Sequence, residues 1–177
     1  METLDCLKLR QSCRAYTDDQ IPDSALQTLL LAARQAPIAR GIYDSVHLTV
    51  VQDFRWVDRF TQRIRQVTGD VQADPLYSVP TLLVISVDED TLGPDGMGKS
   101  NAGTIAENVM LAATELGLGS VYLHGWLRVL RNEHELFREL GVPQGFRPIA
   151  GVSLGYPQTP VSEWKPKHHE MIIHYVR

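Results

Sequence analysis

Residues 101–125 read NAGTIAENVMLAATELGLGSVYLHG: an apolar-periodic run, a glycine-rich turn and a short apolar segment in succession. Ile105, Val109, Ala112, Ala113 and Leu116 mark one helical face, and Met110 and Leu111 widen it past an ordinary amphipathic stripe. The spacing predicts a helix buried on most of its sides. Its small residues, Ala102, Gly103, Ala106, Ala112 and Ala113, let a neighbouring helix or a second subunit approach closely. Gly117 is the predicted left-handed cap, and residues 120–123 follow as a short buried strand. Gly125 sits where that strand leaves the core, a backbone without a side chain against which a flat ligand can lie.

Around this stretch, 177 residues that are 44% hydrophobic and 21% charged supply one substantial core, so a single domain is expected over 1–177. A formal net charge of -4 gives no electrostatic footprint for nucleic acid or an anionic membrane. The opening METLDCLKLRQSCR carries acidic residues and no continuous apolar segment, so it does not read as a secretory signal, and no later run has the length of a membrane span. Cys6 and Cys13 would stand roughly 10 Å apart along a helix, too far for a disulfide. A cytoplasmic setting is the expectation. There is no CxxC, and His168 and His169, being adjacent, point apart, so no metal site is expected.

The other elements follow from period and punctuation. An amphipathic helix marked by Leu4, Leu7 and Lys8 precedes residues 10–16, further helices are predicted over 23–35, 54–67, 126–130 and 133–140, and strands over 46–51, 80–87 and 149–155, with 38–44 and 141–148 as loops. Residues 156–167, with three prolines and no apolar period, read as an extended arm for which a second subunit is the expected host. Near the start, RQSCRAY (10–16) alternates Arg10, Ser12 and Arg14. In an extended backbone these three point the same way and offer two guanidinium forks and a hydroxyl to a phosphate. The plainer reading of the two arginines is a solvated helix end.

Residues 93–100, GPDGMGKS, match the phosphate-loop pattern G-x-x-x-x-G-K-[ST]. Lys99 and the amides opening the next helix suit a phosphate. Against it stand Asp88, Glu89 and Asp90 between strand and loop, Asp95 within the loop, and later strands that do not end in a magnesium-binding aspartate. A nucleotide hydrolase is therefore the lesser alternative.

Taken together, four stretches resemble the FMN-dependent nitroreductases. RQSCRAY is similar to the family's R-x-S-x-R-x-[FY], and LLLAARQAP resembles its helix ending in A-P. NVMLAATELGLGSVYLHGW matches the central helix and the turn beside the flavin, and GVPQGFRPIAGVSLGYP resembles G-[IV]-P-x-G-[YF]-x-P-x-x-x-x-x-[IL]-G-Y-P. The resemblance runs in order along nearly the whole chain.

It implies an α+β, nitroreductase-like three-layer sandwich, an antiparallel or mixed sheet flanked by helices, built as an intertwined homodimer with 156–177 as a C-terminal arm. It places Arg10, Gln11 and Ser12 at the FMN phosphate, Arg14 at the pyrimidine edge, and Leu123, His124 and Gly125 beside the reactive ring, with the Gly125 N–H near flavin N5. Lys165 or Lys167 would complete the phosphate site. Where the family carries S-x-x-N-x-Q-P after A-P, this chain reads I-A-R-G-I-Y-D and puts Gly41 and Tyr43 at the ring-contact positions. His124 stands where some relatives carry an acid. The implied activity is hydride transfer from NADH or NADPH through FMN to a small-molecule acceptor, a nitroaromatic, quinone or enone. A flavin-binding protein with little reductase activity is the alternative.

Overall fold

The computed structural model describes residues 1–92, 96–160 and 171–177. The apolar runs form a four-stranded sheet: β1 Val46–Val51, β2 Thr81–Asp88, β3 Gly119–Leu123 and β4 Phe146–Gly155. Their order is β1-β2-β4-β3, and every neighbouring pair is antiparallel. β2 and β4 lie at the centre and are buried on both faces, which is why their sequences run apolar instead of alternating. β1, on one edge, is half-buried until Val51.

Helices cover both faces. They are α1 Thr3–Leu9, α2 Asp23–Arg34, α3 Phe54–Thr68, α4 Glu89–Leu92, α5 Met97–Glu115, α6 Gly125–Val129 and α7 His134–Glu139. On one side Leu29 and Ala33 of α2 and Ile105, Ala106 and Val109 of α5 meet Leu83, Ile85, Val152 and Leu154 of the sheet. On the other, Val57, Phe60 and Ile64 of α3 join Trp126, Leu127 and Phe137 over Leu82, Val84, Val121 and Leu123. The result is the three-layer α+β arrangement that the resemblance implies.

The central helix begins at Met97, earlier than the sequence reading, with Gly96 as its N-cap. It ends as expected. Gly117 adopts φ 71°, its amide donates to Thr114 at 3.1 Å, and that of Leu118 donates to Ala113 at 2.8 Å, a paired capping arrangement that turns the chain into β3.

Two expectations are corrected. β4 starts at Phe146, inside the stretch read as a turn-rich link, because a register shift at Ile85/Ser86 makes room for Pro148, which has no N–H to give the ladder. The arm begins on its own chain: Tyr16 and Pro157 form an antiparallel bridge, with the Thr17 amide donating to Tyr156 at 2.9 Å and that of Gln158 to Ala15 at 3.1 Å.

Leu4 and Leu7 on α1 remain exposed, and so does the apolar terminus, where Met171, Ile172 and Val176 are 87%, 103% and 90% exposed. That is an apolar surface which a single chain leaves uncovered. Among the described residues no helix is long and apolar enough to cross a membrane.

Phe60 ties one outer layer together. It is wholly buried, with ring centroids 5.8 Å from Trp56, 5.1 Å from Trp126 and 5.7 Å from Phe137. Phe60→Ala should lower unfolding free energy by about 3–5 kcal/mol, measured by denaturant titration.

Candidate functional site

The chain leaves α1 at Arg10, whose φ of -54° and ψ of 118° turn it from helix to extended backbone. It then runs alongside the free edge of β3. Ser12 forms a parallel bridge with Ser120, and the Cys13 amide donates to the Ser120 carbonyl at 2.9 Å. The approach is close enough to require a glycine, since a Cβ on Gly119 would lie 2.6 Å from Cys13 Sγ and 2.9 Å from its Cβ.

This pairing opens a groove of about 360 Å³ between residues 10–12, β3 and α5, lined by Arg10, Ser12, Gly103, Glu107, Met110 and Tyr122. Gly103, Glu107 and Met110, at i, i+4 and i+7, form one stripe of α5. The Arg10 guanidinium is mostly buried, its side chain 19% exposed, and Nε lies 3.6 Å from a Glu107 carboxylate oxygen. That separation gives Coulombic attraction without a hydrogen bond, so the guanidinium is drawn into the groove with its donors uncommitted to Glu107. Gly103 leaves the groove floor open, with no heavy atom within 4 Å of where its Cβ would be.

β3 ends beside the same face. Leu123 is buried in the sheet, while His124 and Gly125 are exposed. His124 Nδ1 lies 3.0 Å from the Ile149 carbonyl, which only accepts, so Nδ1 carries the proton and Nε2 is the ring's other nitrogen. Gly125 opens α6, so its amide has no acceptor within that helix, and nothing lies within 4 Å of its missing Cβ. Buried Trp126 packs on Phe60 and Phe137 and holds the turn from beneath.

Of the residues singled out from the sequence, the structure brings Arg10 and Ser12 into one groove. Gln11 is half-buried in the same segment, and Arg14 is exposed and outside the groove lining. Lys165 and Lys167 lie outside the described residues.

Gly41 and Tyr43 are not brought to the groove of their own chain. Their loop is fastened to α5 by the Ala39 amide donating to Asn101 Oδ1 at 2.9 Å and Thr104 Oγ1 donating to the Pro37 carbonyl at 3.2 Å. Asn108, which donates to Ala32 at 3.1 Å, continues that stripe. The stripe of Asn101, Thr104 and Asn108 is centred about a third of a turn around α5 from that of Gly103, Glu107 and Met110. Gly41 has φ 68°, and Tyr43 is 55% exposed.

The sequence reading missed Glu107, Met110 and Tyr122 as groove residues. The i, i+4, i+7 spacing from Gly103 was a signal that residue order alone did not orient.

The phosphate-loop alternative loses its architecture. α4 intervenes after β2, and β2 is antiparallel to both neighbours, whereas such loops spring directly from a strand of a parallel sheet. Residues 93–95 lie outside the described residues. Among those described, no group of three or more His, Cys, Asp or Glu is placed to hold a metal ion.

The sequence profile described as "Nitroreductase family" matches residues 7–156. A protein of Archaeoglobus fulgidus with the provisional name NADH dehydrogenase/NAD(P)H nitroreductase is 33% identical over 161 residues, covering 87% of this chain and 86% of that one. The NADPH-flavin oxidoreductase of Vibrio harveyi is 32% identical over 180 residues, 93% of this chain and 69% of that one. Among solved structures, the nitroreductase with bound FMN from Bacteroides fragilis superposes with a TM-score of 0.83 at 26% identity, over 99% of this chain and 100% of that one.

The Gly119 contact yields a prediction. Gly119→Ala should cost about 1–3 kcal/mol in denaturant unfolding, because the methyl group displaces the Cys13 strand. Faster hydrogen exchange at the Cys13 amide, with exchange in α3 unchanged, would locate the damage.

Proposed function

Because the chain belongs to the nitroreductase family, we propose that it is an FMN-dependent oxidoreductase. In this reading it takes hydride from NADH or NADPH and delivers it to a small-molecule acceptor, a nitroaromatic, quinone or enone. The observation that carries the reading is the groove that joins Arg10 and Ser12 to an open glycine face of α5 and to Tyr122 of β3, the strand that leads into the exposed turn at Gly125.

The residues present fit the cofactor. FMN when bound supplies hydride acceptance and donation at its N5. Arg10 and Ser12 hold its phosphate, with Gln11 in the same segment and Lys165 or Lys167 from the arm. Arg14 places positive charge at the pyrimidine edge. Gly125 offers its amide to the N5 edge, where Leu123 and His124 flank it. Glu107 keeps Arg10 turned into the groove.

Since Gly41 and Tyr43 do not line the groove of their own chain, they serve the flavin of a second subunit, and the protein is a homodimer. The uncovered Leu4, Leu7 and C-terminal residues support the same assembly. Two free cysteines suit a reducing cytoplasm. One feature favours the second reading, a flavin-binding protein with little reductase activity: Gly41 brings no side-chain donor to the ring, where relatives carry an amide.

The purified protein should show a flavin absorption spectrum released by denaturation, and a protein with no flavin that cannot be reconstituted with FMN would end the proposal. Arg10→Ala should raise the FMN Kd by about tenfold or more, the loss of a charge-assisted hydrogen bond, and leave riboflavin binding unchanged by calorimetry. NAD(P)H turnover with a quinone separates the two readings. Light scattering should give a dimer, and a stable FMN-saturated monomer would refute the assembly.

A further inference from the structure

A second and larger cavity, of about 610 Å³, is lined by His124 and by residues of α6, α7 and the start of β4. Its floor is apolar, made by Leu127, Phe137, Val142 and Phe146. Its rim is cationic: Lys99, Arg128, Arg131, Arg138 and Arg147 line it, and no aspartate or glutamate does among the described residues. In a chain whose net charge is -4, this concentration of positive charge is not a reflection of the whole.

The carboxylates nearest in sequence are engaged. Glu133 pairs with Arg63 at 2.7 Å, Glu139 with Arg59 at 2.6 Å, and Glu135 with Arg138. Lys99, Arg128 and Arg131 form no ion pair with any described carboxylate. Lys99 is the lysine of the GPDGMGKS pattern, which the fold leaves without a phosphate-loop role, and α5 delivers it to this rim.

An apolar floor beneath a rim of guanidinium and ammonium groups fits one ligand chemistry: a flat aromatic ring carrying a phosphate monoester. The ring covers the apolar surface, while planar arginine forks grip the phosphate oxygens. The volume lies in the range of pockets that take a molecule of nucleotide size.

We propose that this cavity binds the adenosine 2′-phosphate end of NADPH and makes NADPH the preferred electron donor. The inference rests on the flavoenzyme reading for the donor's purpose, but the binding itself does not require flavin. His124, which lines this cavity, directly precedes Gly125 in the chain, so the position is reachable for a dinucleotide whose nicotinamide end lies at Gly125. Lys99, Arg128 and Arg131 are specificity-determining residues that meet the 2′-phosphate, and hydride chemistry is unaltered by them in kind.

The test uses the purified protein as it stands. Adenosine 2′,5′-bisphosphate should bind by calorimetry, at least tenfold tighter than adenosine 5′-monophosphate, with an affinity that falls as salt is raised. Arg128→Gln/Arg131→Gln, both at exposed positions, should weaken the bisphosphate by on the order of tenfold or more and lower the NADPH-to-NADH ratio of kcat/KM by a similar factor. Arg55→Gln, at an arginine that pairs with Asp53 and does not line the cavity, should change neither. Equal affinity for the two adenosine phosphates would overturn the proposal, as would a double variant that binds the bisphosphate like wild type. A double variant that alters only the KM of a carboxylate-bearing acceptor would assign the cavity to the acceptor and overturn it as well. Bisphosphate binding by a protein that holds no FMN would sink the flavoenzyme reading and leave the cavity assignment standing.

Discussion

The Ser120 carbonyl accepting the Cys13 amide is the contact on which the groove depends. Without it the segment after α1 has no reason to run beside β3, and Arg10 and Ser12 would have no fixed relation to α5. The bond is possible only because Gly119 presents no side chain to Cys13. One backbone interaction and one missing Cβ thus convert a helix end with two solvated arginines into a walled groove. Burial then draws Arg10 toward Glu107, so the guanidinium is oriented before any ligand arrives, and less ordering entropy is lost on binding.

Much of the layout was legible in residue order because burial on two faces leaves a strong mark. β2 and β4 run apolar where an exposed strand would alternate, and α5 combines a wide apolar face with residues small enough for close packing. The strand bounds Val46–Val51 follow directly from its composition. The beginning of β4 was hidden because Gly145 and Pro148 look like turn chemistry, and only the extra residue of β4, Ile149, between the pairs Ser86–Pro148 and Ile85–Ala150 shows how the ladder accommodates a proline. Similarly, the period-2 alternation of residues 10–14 holds for Arg10 and Ser12, next to the bridge to Ser120, and stops short of Arg14, which stands exposed.

The site was less legible than the fold, for a different reason. Glu107 sits mid-helix and reads as a solvated charge until β3 is laid across that face of α5. The cationic rim draws on α5, α6, the turn after it, α7 and β4, so its members are spread over nearly fifty residues with no local cluster to notice. The loop carrying Gly41 and Tyr43 belongs to the ring contacts in the pattern of the family, yet in its own chain it docks on a stripe about a third of a helical turn from the groove. Sequence order carries no information about which side of a helix a distant segment docks on.

The double use of α5 has a mechanical consequence. One stripe of this helix floors the groove, and a second, about a third of a turn away, anchors through Asn101 and Thr104 the loop that carries Gly41 and Tyr43. A close-packed helix moves as a rigid rod, so a ligand pressing on Gly103 and Met110 would shift the anchorage of that loop as well. Groove and loop are thus mechanically joined through one helix. Whatever the groove binds and whatever the loop contacts would be coupled by a free energy that is the same in both directions.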